Sequence, residues 1–262
     1  MIWIDGTELK VEIFKNGEIK IPRPRRRGRI THIELKWESD QDFMNLLFVK
    51  KHLDNFETKG IFLSIYYMPY SRMDRAMGGD IFTLPTICDF INDMNFSEVI
   101  IYEPHSDVTP ALLKRCTVRN TSMDLFFLIQ KTWEPEYICY PDAGAAKRYD
   151  IKGYEKLIGL KKRDPNTGQI IEFSMIGNQN LDGATVVIID DLSSFGGTFV
   201  FSAEKLKEMG AGDIYLIVAH AEKNILAGKV FDGNIRKVLT TNSILDINDS
   251  TNRLEIIDIT TL

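Results

Sequence analysis

Cysteine is scarce in this sequence, and this and other absences narrow the class of protein. Only three of the 262 residues are cysteines, they are widely spaced, and none belongs to a CxxC pair. This pattern excludes a secreted disulfide framework and a structural zinc site with the usual ligand spacing. No stretch approaches the roughly 18 uncharged residues of a membrane-spanning helix. We therefore expect a soluble cytoplasmic protein with no membrane partner.

An excess of positive charge is also missing. The 32 Lys and Arg residues face 37 Asp and Glu, and the resulting net charge of −5 disfavours a nucleic-acid partner. One basic stretch, residues 20–29, holds six basic and no acidic residues, but it lacks the interleaved aromatics of a single-strand binder. The stretch is interpreted as a solvated loop, with a basic rim that attracts anionic substrates as the alternative.

Apolar residues make up 44% of the chain, and their spacing switches between strand and helix patterns. Residues 60–67 and 98–102 are short apolar runs typical of strands buried in a parallel sheet, and a helix is predicted over 86–94 between them. The second half repeats the scheme, with strands predicted over 137–140, 157–160, 185–189 and 214–219. Because the length favours two domains, we predict an α/β protein with two parallel-rich domains, 1–131 and 132–262.

Three local patterns add detail to this scheme. Lys10–Phe14 and Ile19–Ile21 alternate in polarity around Asn16-Gly17, which predicts a β-hairpin. From Asp40 onward apolar residues recur at helical spacing, which predicts a helix capped by Ser39 or Asp40. Residues 161–168 are polar and are predicted to form a loop.

The most informative segment runs from Val186 to Thr198. It consists of an apolar strand, Asp190-Asp191, a turn containing Gly196-Gly197 and the start of a helix. In open α/β sheets ligands gather at the carboxyl ends of strands, and a helix N-terminus presents unpaired N–H groups to an anion. The glycines allow close backbone approach, and carboxylates can accept hydrogen bonds from vicinal sugar hydroxyls. Phosphate and diol together point to a ribose phosphate; the alternative is a plain strand, turn and helix with two exposed aspartates.

This segment resembles the phosphoribosyl-diphosphate signature of the type I phosphoribosyltransferase fold. Six further segments occur in the order found in the ribose-phosphate diphosphokinases, or PRPP synthetases. They are Phe14–Glu18, Tyr67–Arg75, Pro104-His105, Tyr140–Ala145, Lys161–Arg163 and Ala219-His220. The resemblance spans most of the chain and implies two phosphoribosyltransferase-like α/β domains.

The resemblance also implies a role for individual residues. The residues implied to bind ATP are Phe14, Asn16, Glu18, Arg72, Met73, Asp74 and Arg75. Those implied to bind the ribose phosphate are Asp190, Asp191, Ser194, Phe195, Gly196, Gly197 and Thr198. Lys161 and Arg163 are implied to be catalytic, and His105 and Asp142 to bind the Mg²⁺ that accompanies ATP. A homo-oligomer is implied as well, because in the family the adenine hairpin of one subunit completes the ATP site of its neighbour.

Elementary chemistry supports the cationic part of this assignment. Arg72 and Arg75 can offset charge on the phosphate chain of ATP, as diphosphoryl transfer requires. Lys161 and Arg163 alternate along an extended segment, so both can point toward one substrate. Without the resemblance the basic residues of 161–163 would be interpreted as a solvated loop. A lone strand-end histidine such as His105 is more often a turn or core residue than a ligand.

One departure from the family concerns the acceptor. The family usually has Asp-Thr where this chain has Ser194-Phe195, and a ring at this point can stack on something attached to the phosphate. The sequence predicts ATP-dependent transfer of a diphosphoryl group to the anomeric hydroxyl of ribose 5-phosphate, giving PRPP and AMP. Two alternatives stay open: the same reaction on a larger ribose 5-phosphoryl ester such as ADP-ribose, and a catalytically silent regulatory homologue.

Overall fold

The chain forms two compact units, Met1–Arg119 and Asn120–Leu262. The computed structural model describes residues 1–24, 28–76, 78–164 and 170–262. None of the helices in these ranges combines the length and apolar character needed to cross a membrane.

The first unit is built on a six-stranded sheet and a separate hairpin. Its strands are β1 (Ile2–Ile4), β2 (Thr7–Glu8), β3 (Glu12–Ile13), β4 (Ile19–Lys20), β5 (Ile30–Leu35), β6 (Gly60–Ile65), β7 (Glu98–Tyr102) and β8 (Cys116–Arg119). The sheet order is β2-β1-β5-β6-β7-β8, while β3 and β4 pair with each other. Strands β5 to β8 are parallel, and β1 lies antiparallel to β2 and β5.

The described part of the first unit contains three α-helices, α1 (Gln41–Leu53), α2 (Thr83–Asp93) and α3 (Val108–Leu112). Buried residues of α1 and α2 join those of the central strands in one core, to which Leu46 and Ile91 contribute fully buried side chains. The prediction that a Ser39 or Asp40 side chain caps α1 is wrong, because Asp40 makes no capping hydrogen bond. The carboxylate of Asp42, in the first turn, instead anchors the chain that enters the helix, since it accepts hydrogen bonds from the backbone N–H groups of Glu38 and Ser39 at 2.8 and 3.3 Å.

The second unit is built on a seven-stranded sheet. Its strands are β9 (Tyr137–Tyr140), β10 (Glu155–Arg163), β11 (Ile170–Ile176), β12 (Val186–Ser193), β13 (Ile214–Ala221), β14 (Lys237–Thr241) and β15 (Leu254–Ile257). Their order is β11-β10-β9-β12-β13-β14-β15, and all neighbours are parallel except the β10–β11 hairpin. Short 3₁₀ helices follow β13, β14 and β15, at Lys223–Ala227, Lys229–Phe231, Ile247–Asp249 and Ile259–Thr261.

Helices cover both faces of this sheet. Successive side chains of β12 therefore point into two different cores, one on each face. Val186 and Ile188 face α6 (Gly197–Glu208), whereas Val187 and Ile189 share a core with α4 (Thr121–Trp133) and α5 (Ala143–Arg148). The parallel-rich α/β architecture predicted from the sequence is thus present in both units.

Two differences from the predicted boundaries affect the division into units and the site. The division between units falls after Arg119 rather than after residue 131, because Leu125, Phe126 and Ile129 of α4 are buried in the second core. The predicted loop over 161–168 is also corrected at its start, since β10 continues to Arg163 and pairs with β11. Residues 165–168 of that predicted loop lie outside the described residues.

Candidate functional site

The second unit gathers predicted site residues at the carboxyl ends of two neighbouring strands. Strands β9 and β12 pair in parallel, so their carboxyl ends lie at the same edge of the sheet. Asp142 follows β9 after a single residue, and Asp190 and Asp191 lie near the end of β12. This is the position where open α/β sheets bind their ligands.

Asp142 is held by two hydrogen bonds with different purposes. One carboxylate oxygen accepts the backbone N–H of Ala145 at 2.9 Å and caps α5. The other oxygen accepts a hydrogen bond from the Lys161 ammonium at 2.5 Å, which closes an ion pair. Burial alone would raise the pKa of Asp142, but the Lys161 ammonium and the N–H groups of Ala145 and Gly144 outweigh it and lower that pKa. Asp142 is therefore a carboxylate built to hold a cation.

A close approach between β10 and the turn after β9 brings Lys161 to this carboxylate. A Cβ atom at Gly159 would lie 2.7 Å from the carbonyl oxygen of Pro141 and 2.8 Å from the Phe173 ring. Only glycine fits between these groups, and Lys161 follows two residues later on the same strand. Lys161 therefore lies on a paired strand rather than on the predicted loop. Arg163 ends that strand, and its side chain lies outside the described part of the chain.

Asp191 is buried and paired with a residue that the sequence analysis did not single out. Its carboxylate lies 3.2 Å from the Arg148 guanidinium, and its exposed fraction is 5%. Arg148 ends α5 and lies over the ring of Tyr149, 5.7 Å from its centroid. The guanidinium supplies the positive charge that a buried carboxylate needs. One sequence signal could have indicated Arg148, since it is a basic residue in the last turn of the helix that Asp142 caps.

Asp190 occupies the middle of the cluster. Burial, the neighbouring charge and hydrogen bond of Asp191, and the charge of Asp142 raise the pKa of Asp190 well above its ordinary value. Its carboxylate accepts the backbone N–H of Asp191 at 3.0 Å, and its carbonyl accepts the hydroxyl of Ser122 at 2.9 Å. Ser122 lies 68 residues away in sequence, so no local pattern indicates it.

The predicted phosphate turn joins β12 to α6. Gly196 caps this helix with a left-handed backbone (φ +81°), and a Cβ there would lie 2.8 Å from the Val230 side chain. Gly197 has open space around its Cα, and Thr198 lies in the first turn of the helix. Ser194 accepts a long hydrogen bond of 3.4 Å from the Asn224 amide. The ring of Phe195 is 60% exposed, so it projects from the turn rather than into a core.

In the first unit, the predicted adenine hairpin is a small polar turn. The backbone N–H of Phe14 donates to the carbonyl of Glu18 at 2.8 Å, and that of Gly17 donates to the carbonyl of Phe14 at 2.9 Å. The Asn16 amide donates to the Glu18 carboxylate at 2.7 Å. The ring of Phe14 is 52% exposed. The hairpin therefore presents an unshielded ring between polar side chains.

The predicted ATP-phosphate segment follows β6 in the same unit. Tyr70 turns the chain with a left-handed backbone (φ +63°), and its hydroxyl donates to Asp40 at 2.7 Å. Arg72 and Arg75 are exposed after this turn, while Met73 and Asp74 are half-buried. The Arg75 guanidinium lies 4.0 Å from the Asp74 carboxylate. Exposed guanidinium groups in the segment that follows a strand suit contact with phosphate oxygens.

The two predicted metal ligands belong to different units. His105 is half-buried in the turn after β7, and Asp142 follows β9 in the second unit. Within the described residues of either unit, no three His, Cys, Asp or Glu side chains converge as a metal-binding group. An ionised carboxylate that already holds a cation nevertheless fits Mg²⁺, which binds few protein ligands and keeps water and phosphate oxygens.

Comparisons with known proteins agree with the motifs. No family model matches the chain. It is 26% identical over 248 residues to a ribose-phosphate pyrophosphokinase of Sulfurisphaera tokodaii, and the aligned region covers 90% of this chain and 85% of that protein. The enzyme of the same name from Saccharolobus solfataricus is 26% identical over 257 residues, covering 92% and 86%.

The chain resembles the ribose-phosphate pyrophosphokinases. The predicted resemblance to this family is thus confirmed, and the comparisons support the predicted class of enzyme, a transferase of diphosphate groups. The fold agrees with the crystal structure of phosphoribosylpyrophosphate synthetase from Mycobacterium smegmatis, with a TM-score of 0.77 and 19% identity over 97% of this chain and 87% of that one. The predicted fold class is confirmed by this likeness.

Proposed function

We propose that the chain transfers the diphosphoryl group of ATP to the anomeric hydroxyl of ribose 5-phosphate, giving PRPP and AMP. The observation that carries this proposal is the cluster at the β9–β12 edge, where Asp142, Asp190 and Asp191 lie beside Lys161 and the Gly196 turn. Carboxylates for a diol, a turn for a phosphate and a cation for the reacting group are the three elements that the reaction needs.

The chemical step is a displacement at the β-phosphorus of ATP. The anomeric oxygen forms a bond to this phosphorus, the bond from it to the oxygen bridging to the α-phosphorus breaks, and AMP leaves with that oxygen. The proton of the anomeric hydroxyl passes to solvent. Negative charge builds on the oxygen that leaves with AMP and is spread over the oxygens of the transferred group, and the Lys161 ammonium is the described cation of the second unit proposed to offset it.

Acceptor binding is assigned to the second unit. The carboxyl groups of Asp190 and Asp191 bind the ribose hydroxyls, with Asp191 held in place by Arg148. The backbone N–H groups after Gly196 and the hydroxyl of Thr198 bind the 5-phosphate at the start of α6.

ATP binding is assigned to the first unit. Phe14, Asn16 and Glu18 form the adenine-binding hairpin, and Arg72 and Arg75 contact the phosphates. The remaining ATP-segment residues, Met73 and Asp74, support these arginines. Asp142 of the second unit and His105 of the first unit are each proposed as a ligand of Mg²⁺, which would offset charge on the phosphate chain. The same proposal includes a homo-oligomer, since the exposed Phe14 ring gains its cover from a second copy.

Incubation of the protein with Mg²⁺, ATP and ribose 5-phosphate tests the reaction, and AMP formed in equal amount to PRPP is the expected result. Absence of AMP removes the assignment. Light scattering tests assembly, and a fully active monomer contradicts the shared adenine site.

A second acceptor is favoured by one observation, the exposed ring of Phe195 directly before Gly196. A ring at this place can stack on a base or another flat group attached to the 5-phosphate, as in ADP-ribose. The chemistry at the anomeric carbon is unchanged in this case. Comparing AMP release with ribose 5-phosphate and with ADP-ribose decides between the acceptors, and Phe195→Ala lowers turnover of the larger one selectively if the ring binds it.

A further inference from the structure

The carboxylate of Asp142 divides its two oxygens between two separate tasks. One oxygen caps α5 through the Ala145 N–H at 2.9 Å, and the other holds the Lys161 ammonium at 2.5 Å. The ion pair therefore uses an oxygen that the helix does not need. Lys161 can leave this oxygen without uncapping α5.

The position of Lys161 along β10 makes such a departure local. Pairing of β10 with β9 ends at Ile158 opposite Tyr140, so Lys161 lies three residues beyond it. At Lys161 the strand pairs with Phe173 of β11, and the register shifts between Lys162 and Arg163. A lysine has a flexible four-carbon stem, and its ammonium can move several ångströms while the backbone pairing stays intact.

The surroundings of Asp142 demand positive charge whether or not Lys161 supplies it. Asp191 lies at the same edge, and the Arg148 guanidinium faces that carboxylate at 3.2 Å rather than serving Asp142. A carboxylate oxygen is also a preferred ligand of a hard divalent cation. Lysine and a metal ion are thus interchangeable partners for the same oxygen of Asp142.

We propose that Lys161 and a divalent cation compete for the carboxylate of Asp142, so that binding of the metal releases the Lys161 ammonium toward the reacting phosphates. That the released Lys161 moves toward the reacting phosphates rests on the proposed function. The competition between Lys161 and the metal ion is a property of the protein without substrates. Competition for one site is reciprocal, so removal of Lys161 tightens metal binding.

Labelling of lysine amines in the free protein tests the release. Acetylation of Lys161, followed by mass spectrometry, rises about threefold to tenfold when Mn²⁺ or Mg²⁺ is added, as expected for loss of one half-buried ion pair. The matched control lies on the same strand, where Lys156 pairs with Asp150 at 2.7 Å. Labelling of Lys156 responds to Asp150→Asn but not to the metal. Unchanged Lys161 labelling at saturating metal overturns the proposal.

Metal affinity provides the converse test. Lys161→Met raises the affinity for Mn²⁺ alone, measured by electron paramagnetic resonance without ATP, by about threefold to tenfold. Asp142→Asn keeps a good helix cap, raises Lys161 labelling without metal and abolishes the Mn²⁺ site. The proposal is overturned if the parent and Lys161→Met bind Mn²⁺ with equal affinity. It is also overturned if Asp142→Asn binds Mn²⁺ as the parent does.

These readouts separate the inference from the proposed reaction. A parent protein that forms no AMP with either acceptor contradicts the proposed function and leaves the labelling and metal measurements valid. A parent that forms AMP while Lys161 labelling ignores the metal contradicts the inference alone.

Discussion

Substitution of Gly159 by alanine tests whether the close approach of β10 to the turn after β9 sets the position of Lys161. The added Cβ would lie 2.7 Å from the carbonyl oxygen of Pro141, 3.0 Å from its carbonyl carbon and 2.8 Å from the Phe173 ring. The Phe173 ring can rotate, but the Pro141 carbonyl belongs to the backbone. The strand or the turn must therefore move.

The size of the movement follows from ordinary contact distances. Carbon and oxygen atoms approach to about 3.3 Å, so β10 and the turn separate by roughly 0.6 Å. Overpacking of this kind costs about 1–3 kcal/mol, less about 0.5 kcal/mol regained because alanine restricts the unfolded chain. We expect the melting temperature to fall by about 2–4 °C for each kcal/mol lost.

Activity should fall further than stability. A reacting group misplaced by about 1 Å can lose two orders of magnitude in rate, so a shift of roughly half that size predicts a loss of about tenfold in kcat. The KM for ATP should stay within about twofold of the parent value, because the predicted ATP-binding residues belong to the first unit. AMP formation under saturating substrates and thermal unfolding followed by circular dichroism measure the two effects.

Gly233→Ala is the matched control in the same unit. Its nearest atom, the Lys229 carbonyl oxygen, is 3.9 Å from the added Cβ, so neither stability nor kcat should change appreciably. Gly159→Ala with parental kcat and melting temperature would refute the reasoning. A destabilised variant with parental kcat would show that the approach supports the fold but does not position Lys161.

Three further predictions concern individual side chains. Lys161→Ala lowers turnover by about a hundredfold or more and preserves ATP affinity, whereas Phe14→Ala weakens ATP binding. AMP release and ATP titration measure the two effects. Parental turnover in Lys161→Ala would show that Lys161 is a solvated surface residue rather than a catalytic one. Arg148→Gln raises the KM for the acceptor about tenfold, and Arg148→Lys raises it less, because the lysine keeps a positive charge near Asp191. The adjacent Lys147→Gln is the control and leaves this KM unchanged. An Arg148→Gln variant with the parental KM would show that Asp191 needs no cationic partner. The pKa of Asp142 is lowered in the folded protein, so its contribution to stability is present above the unfolded pKa of about 3.9 and disappears as pH falls through the folded pKa. In Asp142→Asn, acid unfolding should lack the loss of stability that comes from protonation of Asp142.

Local signals were sufficient to predict the strand–turn–helix unit around Asp190. A continuous apolar run, a carboxylate pair and a glycine turn lie within one short segment, and the structure places β12, Gly196 and α6 there. The predicted hairpin at Asn16-Gly17 is present for the same reason, since the hydrogen bonds of its turn join residues four or fewer apart.

Features that depend on distant contacts were missed. Strand β11 follows a polar stretch, and its place at the sheet edge depends on pairing with β10. The packing of α4 against the second sheet moves the unit boundary, although the helix itself carries an ordinary amphipathic pattern. Ser122 and Arg148 reach β12 from separate helices, so no spacing rule connects them to Asp190 or Asp191.

The charge balance of the β9–β12 edge connects the site with the proposed exchange. Asp142, Asp190 and Asp191 supply three carboxyl groups, while Lys161 and Arg148 are the cations that the structure pairs with them. Asp190 has no cationic partner among these five groups, and burial, followed by the neighbouring Asp191 carboxylate, raises its pKa well above the ordinary value. If Lys161 leaves to offset charge on the transferred phosphates, the deficit at Asp142 grows, and a divalent cation is the species that can restore it. The proposed metal at Asp142 and the proposed release of Lys161 then answer the same electrostatic requirement.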